Sequence, residues 1–257
     1  MAALVPAKRL RLSHQEGTKL GLTADQITQI KSYMLRYMQD LARNSQGIVR
    51  QRVVAVACIF MRRFYVHLNF CEYDPRMVAP ACLYLASKTE ESLIQAKVLF
   101  HFMKRISGQH PIPILDMKQL FDLEMALMEE LDFQLVTETP YDIMLKLLRQ
   151  LQLENLGQPA WAALNDSYKT DVCLMHTPQT IALACILLAC NVQKRELPPG
   201  VARLAVDFDQ VYGAAMQILQ LSARLPDIDA ATCSAWIALA AQEDGTNGSR
   251  ALGAPAC

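Results

Sequence analysis

The sequence predicts an all-α protein of two tandem five-helix repeats preceded by a short N-terminal tail. Three observations point there. Strands have little support, because strict two-residue alternation is almost absent and only 10 of the 257 residues are Gly. Apolar residues recur instead at helical spacings of three and four. The chain also repeats itself: a slide of 103 residues lays Tyr65–Lys88 over Tyr168–Asn191. Seven pairs are then identical: Tyr65/Tyr168, Pro75/Pro178, Ala79/Ala182, Ala81/Ala184, Cys82/Cys185, Leu85/Leu188 and Ala86/Ala189. Two Ala/Leu-rich helices share some of these by chance. The common Pro at the helix start and the matching order of neighbouring helices favour duplication.

Residues 1–19 read as a tail, 20–134 as the first repeat, 138–242 as the second and 243–257 as a disordered C-terminal tail rich in Gly, Ala and polar residues. Thr23-Ala-Asp-Gln26 forms a capping box that opens a helix with Ile27, Ile30, Met34, Tyr37 and Leu41 on one face. From Arg50 to Phe64 the chain is apolar on nearly all sides. Asp74-Pro75 starts the next helix, with Pro at the first helical position, and Pro80 is expected to kink it. The interior Met77–Ala86 is apolar all round, as expected of a helix at the centre of a bundle. Further helices are expected over roughly 94–106, 115–132, 140–153, 159–173, 178–193, 201–223 and 228–241. The link Phe133–Thr139 is too short for the repeats to tumble independently.

Charge narrows the function. Lys+Arg and Asp+Glu both number 25, the pI is near 6.9 and the charged share is 19%. A neutral chain is a poor nucleic-acid binder, because such affinity rests on Lys and Arg neutralising phosphates. The low charged share hints at apolar surface covered by a partner. No membrane span is expected: the longest apolar run, Ile181–Cys190, is half the roughly twenty residues required. Lys8, Arg9 and Arg11 read first as part of a disordered tail, then as a nuclear-import cluster, and last as an organellar transit peptide. Eight Cys, mostly inside apolar helical runs and with no secretory signal, suit a reduced cytosolic or nuclear protein. No phosphate loop, dinucleotide fingerprint, exposed-Ser elbow or zinc spacing occurs, and the five His are scattered, so no catalysis, cofactor or metal is expected.

Duplicated cores concern packing, so function is sought where the copies diverge. The first central helix ends Leu85-Ala-Ser-Lys-Thr-Glu-Glu91, while its counterpart ends Leu188-Ala-Cys-Asn-Val-Gln-Lys194. In the helix from Leu115 to Leu131 the apolar stripe is Met117, Leu120, Leu123, Leu127, Met128 and Leu131. At about 100° per residue, Glu124 falls inside that stripe. A carboxylate there needs a partner, and Lys88 is the candidate. The pair is either structural only or also reaches polar groups of another chain.

These residues resemble the cyclin family, and within it the cyclin C type. Three stretches carry the likeness: Arg50–Tyr65; Asp74–Glu91 with its Leu-Ala-Ser-Lys-Thr-Glu-Glu close; and Leu164–Cys185 with Asn165-Asp-Ser-Tyr-Lys-Thr-Asp171. Weaker similarity covers most of 22–240. The chain departs from the family in its N-terminal segment, in Thr139-Pro-Tyr-Asp142 where the family has His-Pro-Tyr-Arg, and in lacking a Trp near Val201. It also lacks the substrate-docking Met-Arg-x-Ile-Leu motif of cell-cycle cyclins. The resemblance implies two cyclin boxes and a nuclear, non-catalytic subunit that binds and activates a cyclin-dependent protein kinase in the Mediator kinase module. Lys88 and Glu124 would hold the backbone of the kinase's regulatory helix. The central-helix end and Ser92–Ile106 would supply an apolar wall, and Glu90 or Glu91 would meet activation-loop Arg residues. Three alternatives remain: a cyclin for a different transcriptional kinase, a DNA-gripping core of the TFIIB kind, and an all-helical enzyme with a hydrophobic tunnel.

Overall fold

A computed structural model describes residues 21–204 and 206–245. The tail with Lys8, Arg9 and Arg11, and residues 246–257, lie outside the described residues. The first repeat contains α1 (Ala24–Asn44), α2 (Gln51–Phe64), α3 (Pro75–Thr89), α4 (Ala96–Ile106) and α5 (Met117–Glu130). The second contains α6 (Pro140–Gln150), α7 (Gly157–Ser167), the short α8 (Val172–Met175), α9 (Pro178–Val192) and α10 (Phe208–Arg224). The last helix, α11 (Ala230–Gly245), packs against α1.

Local chemistry sets the helix starts. The Thr23 side chain accepts from the Gln26 N–H and the Gln26 side chain reaches back, completing the expected capping box of α1. Asp116 and Gln119 form a second box at α5. The two central helices begin alike: Asp74 and Thr177 cap them, and Pro75 and Pro178 take the position whose missing N–H costs nothing. Ala79, Ala81, Cys82, Ala182, Ala184 and Cys185 are fully buried, and their small side chains let neighbouring helices approach from every side. Pro80 sits inside α3, which continues through it.

Two expected helices differ. The span 159–173 breaks after Ser167, where Thr170 Oγ1 donates to Ser167 O at 2.6 Å and turns the chain. That break presents the Tyr168 carbonyl to α2: Arg62 Nε donates to it at 3.0 Å and Cys58 Sγ at 3.4 Å. Arg62 also pairs with Asp171 while wholly buried. The span 201–223 is helical only from Phe208, because Pro198-Pro199 lacks backbone donors and leaves a single 3-10 turn, Pro199–Arg203. That turn stands where the fourth helix of a repeat would be, and α10 packs along α9 as α5 packs along α3.

One apolar core runs through both repeats. Five of its cysteines (Cys58, Cys82, Cys185, Cys190 and Cys233) are buried free thiols, in keeping with a packing role. His110 is buried between Tyr33 (2.8 Å) and Asp40 (2.9 Å), which ties the loop before α5 to α1. The chain leading to α11 is pinned to α1: Gln29 donates to Pro226 O at 2.9 Å, and Arg36 approaches Asp227 at 3.2 Å. Among the described residues no helix is long and apolar enough to cross a membrane.

Candidate functional site

The site forms where α3 ends against α5. Leu120, Leu123, Leu127 and Leu131 bury one face of α5 and fix its rotation about its axis. That rotation carries Glu124 inward to 7% exposure, as its place in the stripe required. Lys88 Nζ lies 2.7 Å from Glu124 Oε1 and 2.9 Å from Oε2. Its ammonium also sits 4.3 Å from the centre of the Tyr84 ring, one turn earlier on α3. Burial works against the lysine's charge, but hydrogen bonding and attraction to Glu124 outweigh it and leave its pKa above the ordinary value. About a third of the side chain remains accessible, so an ammonium with three donors can also meet an acceptor from outside.

Beyond Lys88 the chain turns sharply. Ser87 is buried; its Oγ donates to Tyr84 O at 2.7 Å and accepts from the Ile94 N–H at 3.3 Å. Glu91 takes a left-handed φ of +50° and leaves its side chain exposed. Glu90, the other acid expected to meet activation-loop Arg residues, is less open. It is half-buried and faces Arg52 at 3.8 Å, and Arg52 also pairs with Asp142. The family's Arg in the Thr139–Asp142 turn has thus given way to an acid that meets an Arg of α2.

Burial raises the Glu90 carboxyl above its usual range; Arg52 opposes the shift and Asp142 adds to it. A carboxyl that holds its proton more tightly when folded contributes stability below the ordinary value and loses it as pH rises through the shifted one. Glu90→Gln keeps a hydrogen-bonding group without the charge. Its melting temperature should exceed that of the parent at neutral pH, with the gap closing by about pH 3.5, checked by thermal unfolding across pH.

The apolar wall differs from the expected one. Leu99, Phe102, Met103 and Ile106 of α4 are buried in the core, so little of Ser92–Ile106 beyond Leu93 is offered outward. The exposed apolar residues lie on α5: Met117, Phe121 and Met125, four residues apart and on one side of the helix. The Phe121 ring stands 6.3 Å from that of Tyr84, which joins the stripe to the charged pair. Met117 points outward, against its place in the expected stripe, and Tyr84, Arg52 and Phe121 join the site beyond the residues expected there. The available signal for Phe121 and Met125 was their four-residue spacing among Lys118, Gln119, Asp122 and Glu129 on the polar side of α5.

Residues 15–136 match the family model described as "Cyclin, N-terminal domain". Over 205 residues the chain is 39% identical to Cyclin-C1-1 of Oryza sativa subsp. japonica, covering 80% of this chain and 79% of that protein. The chain belongs to the cyclin family. It is a cyclin C-like cyclin: Cyclin-C of Rattus norvegicus is 31% identical over 217 residues, 81% of this cyclin and 77% of that one. Among solved structures, a chain of the yeast RNA Pol II CTD kinase CTDK-1 complex superposes with a TM-score of 0.72 at 16% identity, covering 99% of this cyclin and 86% of that chain. A chain of the Chaetomium thermophilum CAK complex gives 0.65 at 18% identity, covering 91% and 79%. At such identities the likeness speaks for the fold.

Proposed function

We propose that this cyclin is the regulatory, non-catalytic subunit of a cyclin-dependent Ser/Thr protein kinase acting in RNA polymerase II transcription in the nucleus, within a Mediator kinase module. The observation that carries the reading is the Lys88–Glu124 pair, partly open and bordered by the exposed Met117–Phe121–Met125 stripe. The structural neighbours support it, since they are chains of kinase complexes, among them an RNA Pol II CTD kinase. The first repeat, 20–134, is the kinase-binding unit and the second is 138–242.

The cyclin carries out no bond chemistry. A kinase is active when its regulatory-helix Glu pairs with the ATP-positioning Lys. A surface that binds only that arrangement shifts the population toward it, and a swing from 1:99 to 99:1 needs about 5.5 kcal/mol of differential binding. An apolar stripe with a polar anchor at one end is suited to gripping a helix by side chains and backbone together. Glu91, exposed on its left-handed turn, is the acid available to activation-loop Arg residues; Glu90 becomes available when Arg52 releases it.

Reconstitution with a purified transcriptional cyclin-dependent kinase tests this. The complex should phosphorylate an RNA polymerase II C-terminal-domain peptide at least about 100-fold faster than the kinase alone. Charge reversal at Glu90 and Glu91 together should lower activation while sparing assembly. No stable complex with any such kinase overturns the function, and unchanged activity of the double variant overturns the role of the two acids.

A further inference from the structure

The end of α9 repeats the end of α3 in its backbone and inverts its side-chain chemistry. Ser92 N–H donates to Ser87 O at 2.9 Å, and 103 residues on Arg195 N–H donates to Cys190 O at 2.9 Å. Glu91 and Lys194 hold the same left-handed φ, +50° and +51°. The helix beside each end also matches in pattern. Tyr212 and Met216 are exposed along α10 at the four-residue spacing of Met117 and Phe121 along α5, and Leu219 is exposed one turn further on. Leu219 follows Met216 by three residues, as Glu124 follows Phe121. Asn191 stands where Lys88 stands, and Leu187 where Tyr84 stands. The ion pair of the first repeat has therefore become Asn191 and Leu219, while the acids Glu90 and Glu91 have become Gln193 and Lys194, with Arg195 next.

Between α9 and α10 these residues line a groove of about 300 Å³ that includes Leu187, Asn191, Arg195, Tyr212, Met216 and Leu219. Arg195 Nη1 donates to Asn155 Oδ1 at 3.1 Å, which anchors the guanidinium at the rim. Lys194 and Glu196 flank Arg195 on either side and neither lines the groove. The exposed stripe spans Tyr212 to Leu219 of α10, about 10 Å, or roughly two turns of an opposing helix. A groove between two packed helices receives a third by the same ridge-and-groove fit that packs helices in a core. Apolar walls with the Arg195 guanidinium at one end select an apolar stripe flanked by acids.

We propose that the α9–α10 groove is a second docking site, and that its occupant is an acidic amphipathic helix of a protein partner other than the kinase. The two repeats then present related faces that differ in charge, with Gln193 and Lys194 at the positions of Glu90 and Glu91 and Asn191 at that of Lys88. This assignment stands independently of the reading of the Lys88 face, because its geometry and charge belong wholly to the second repeat.

The test uses the full chain, labelled at its methionine methyls, and two synthetic probes. One is a peptide about five turns long with Leu at every third or fourth position and Glu on the flanks; its twin has Lys for each Glu. The acidic probe should bind roughly tenfold or more tightly than the basic one. It should shift the Met216 methyl signal and leave Met117 and Met125 unmoved. Met216→Ser and Tyr212→Ser, both at half-exposed positions, should each weaken binding with little change in thermal unfolding. Arg195→Glu should reverse the order of the two peptides, which loss of fold does not do. Equal binding of the two peptides, or shifts at Met117 and Met125 in place of Met216, overturns the proposal. So does self-association of the unliganded chain that Met216→Ser abolishes, since the occupant is then a second copy.

Discussion

Lys88→Glu should cut activation of the partner kinase by about 100-fold or more, because the differential binding that shifts the kinase population is lost. The substitution removes the outward-facing donor and sets a second carboxylate beside Glu124, 2.7 Å from where the ammonium stood. Any backbone carbonyl brought to that corner then meets a negative charge. The fold survives, since the new side chain can turn to solvent from a position a third exposed. A stability loss of about 1–2 kcal/mol still leaves nearly all molecules folded, given a typical reserve of about 5–15 kcal/mol. The swap Lys88→Glu with Glu124→Lys separates the two effects. It should recover the melting temperature but not the activation, measured on one preparation by thermal unfolding and kinase assay. Activation by the single variant equal to that of the parent would show that the pair is structural only.

Arg62→Ala should cost about 3–5 kcal/mol of unfolding free energy, the usual consequence of removing one partner from a buried charge pair. Arg62 is fully buried in α2, donates to the Tyr168 carbonyl and pairs with Asp171, so it binds the first repeat to the break between α7 and α8. Its removal leaves a carbonyl and a carboxylate buried with less support. Lys31, also buried and held below its ordinary pKa mainly by desolvation, is a cation close enough to interact with Asp171. Urea unfolding should record the loss as a lower midpoint. Arg62→Met combined with Asp171→Leu should regain much of it, because matched apolar residues need no hydrogen bonds. A midpoint for Arg62→Ala within error of the parent would refute the anchoring role.

The sequence made Lys88 and Glu124 legible because helical periodicity assigns each residue a side, and a lone carboxylate on an apolar side is conspicuous. Arg62 carried no such mark. Followed by Arg63 in the last turn of α2, it reads as the ordinary basic end of a helix, and its partner Tyr168 lies 106 residues away. Helix starts were legible at Thr23 and Asp74, where the signal is local. The break after Ser167 was not, because the Tyr168 carbonyl it frees is taken up by Arg62 and Cys58 of the distant α2. Phe121 and Met125 were hidden for a related reason: an apolar residue on a polar face looks incidental until the charged pair beside it is seen. The fold was thus readable from local and repeated pattern, and the part of the site that depends on distant neighbours was not.

The seat of α11 on α1 bears on how the chain acquires its structure. During synthesis the first repeat emerges before the second and can begin to fold as a unit. Yet the face of α1 that carries Gln29 and Arg36 meets Pro226 and Asp227, which are made nearly two hundred residues later. Until then that face is bare, and closing such a long loop is slow relative to forming local helix pairs. A nascent chain of this cyclin therefore passes through a stage in which the first repeat is assembled but uncovered on one side, open to chaperones and to premature association.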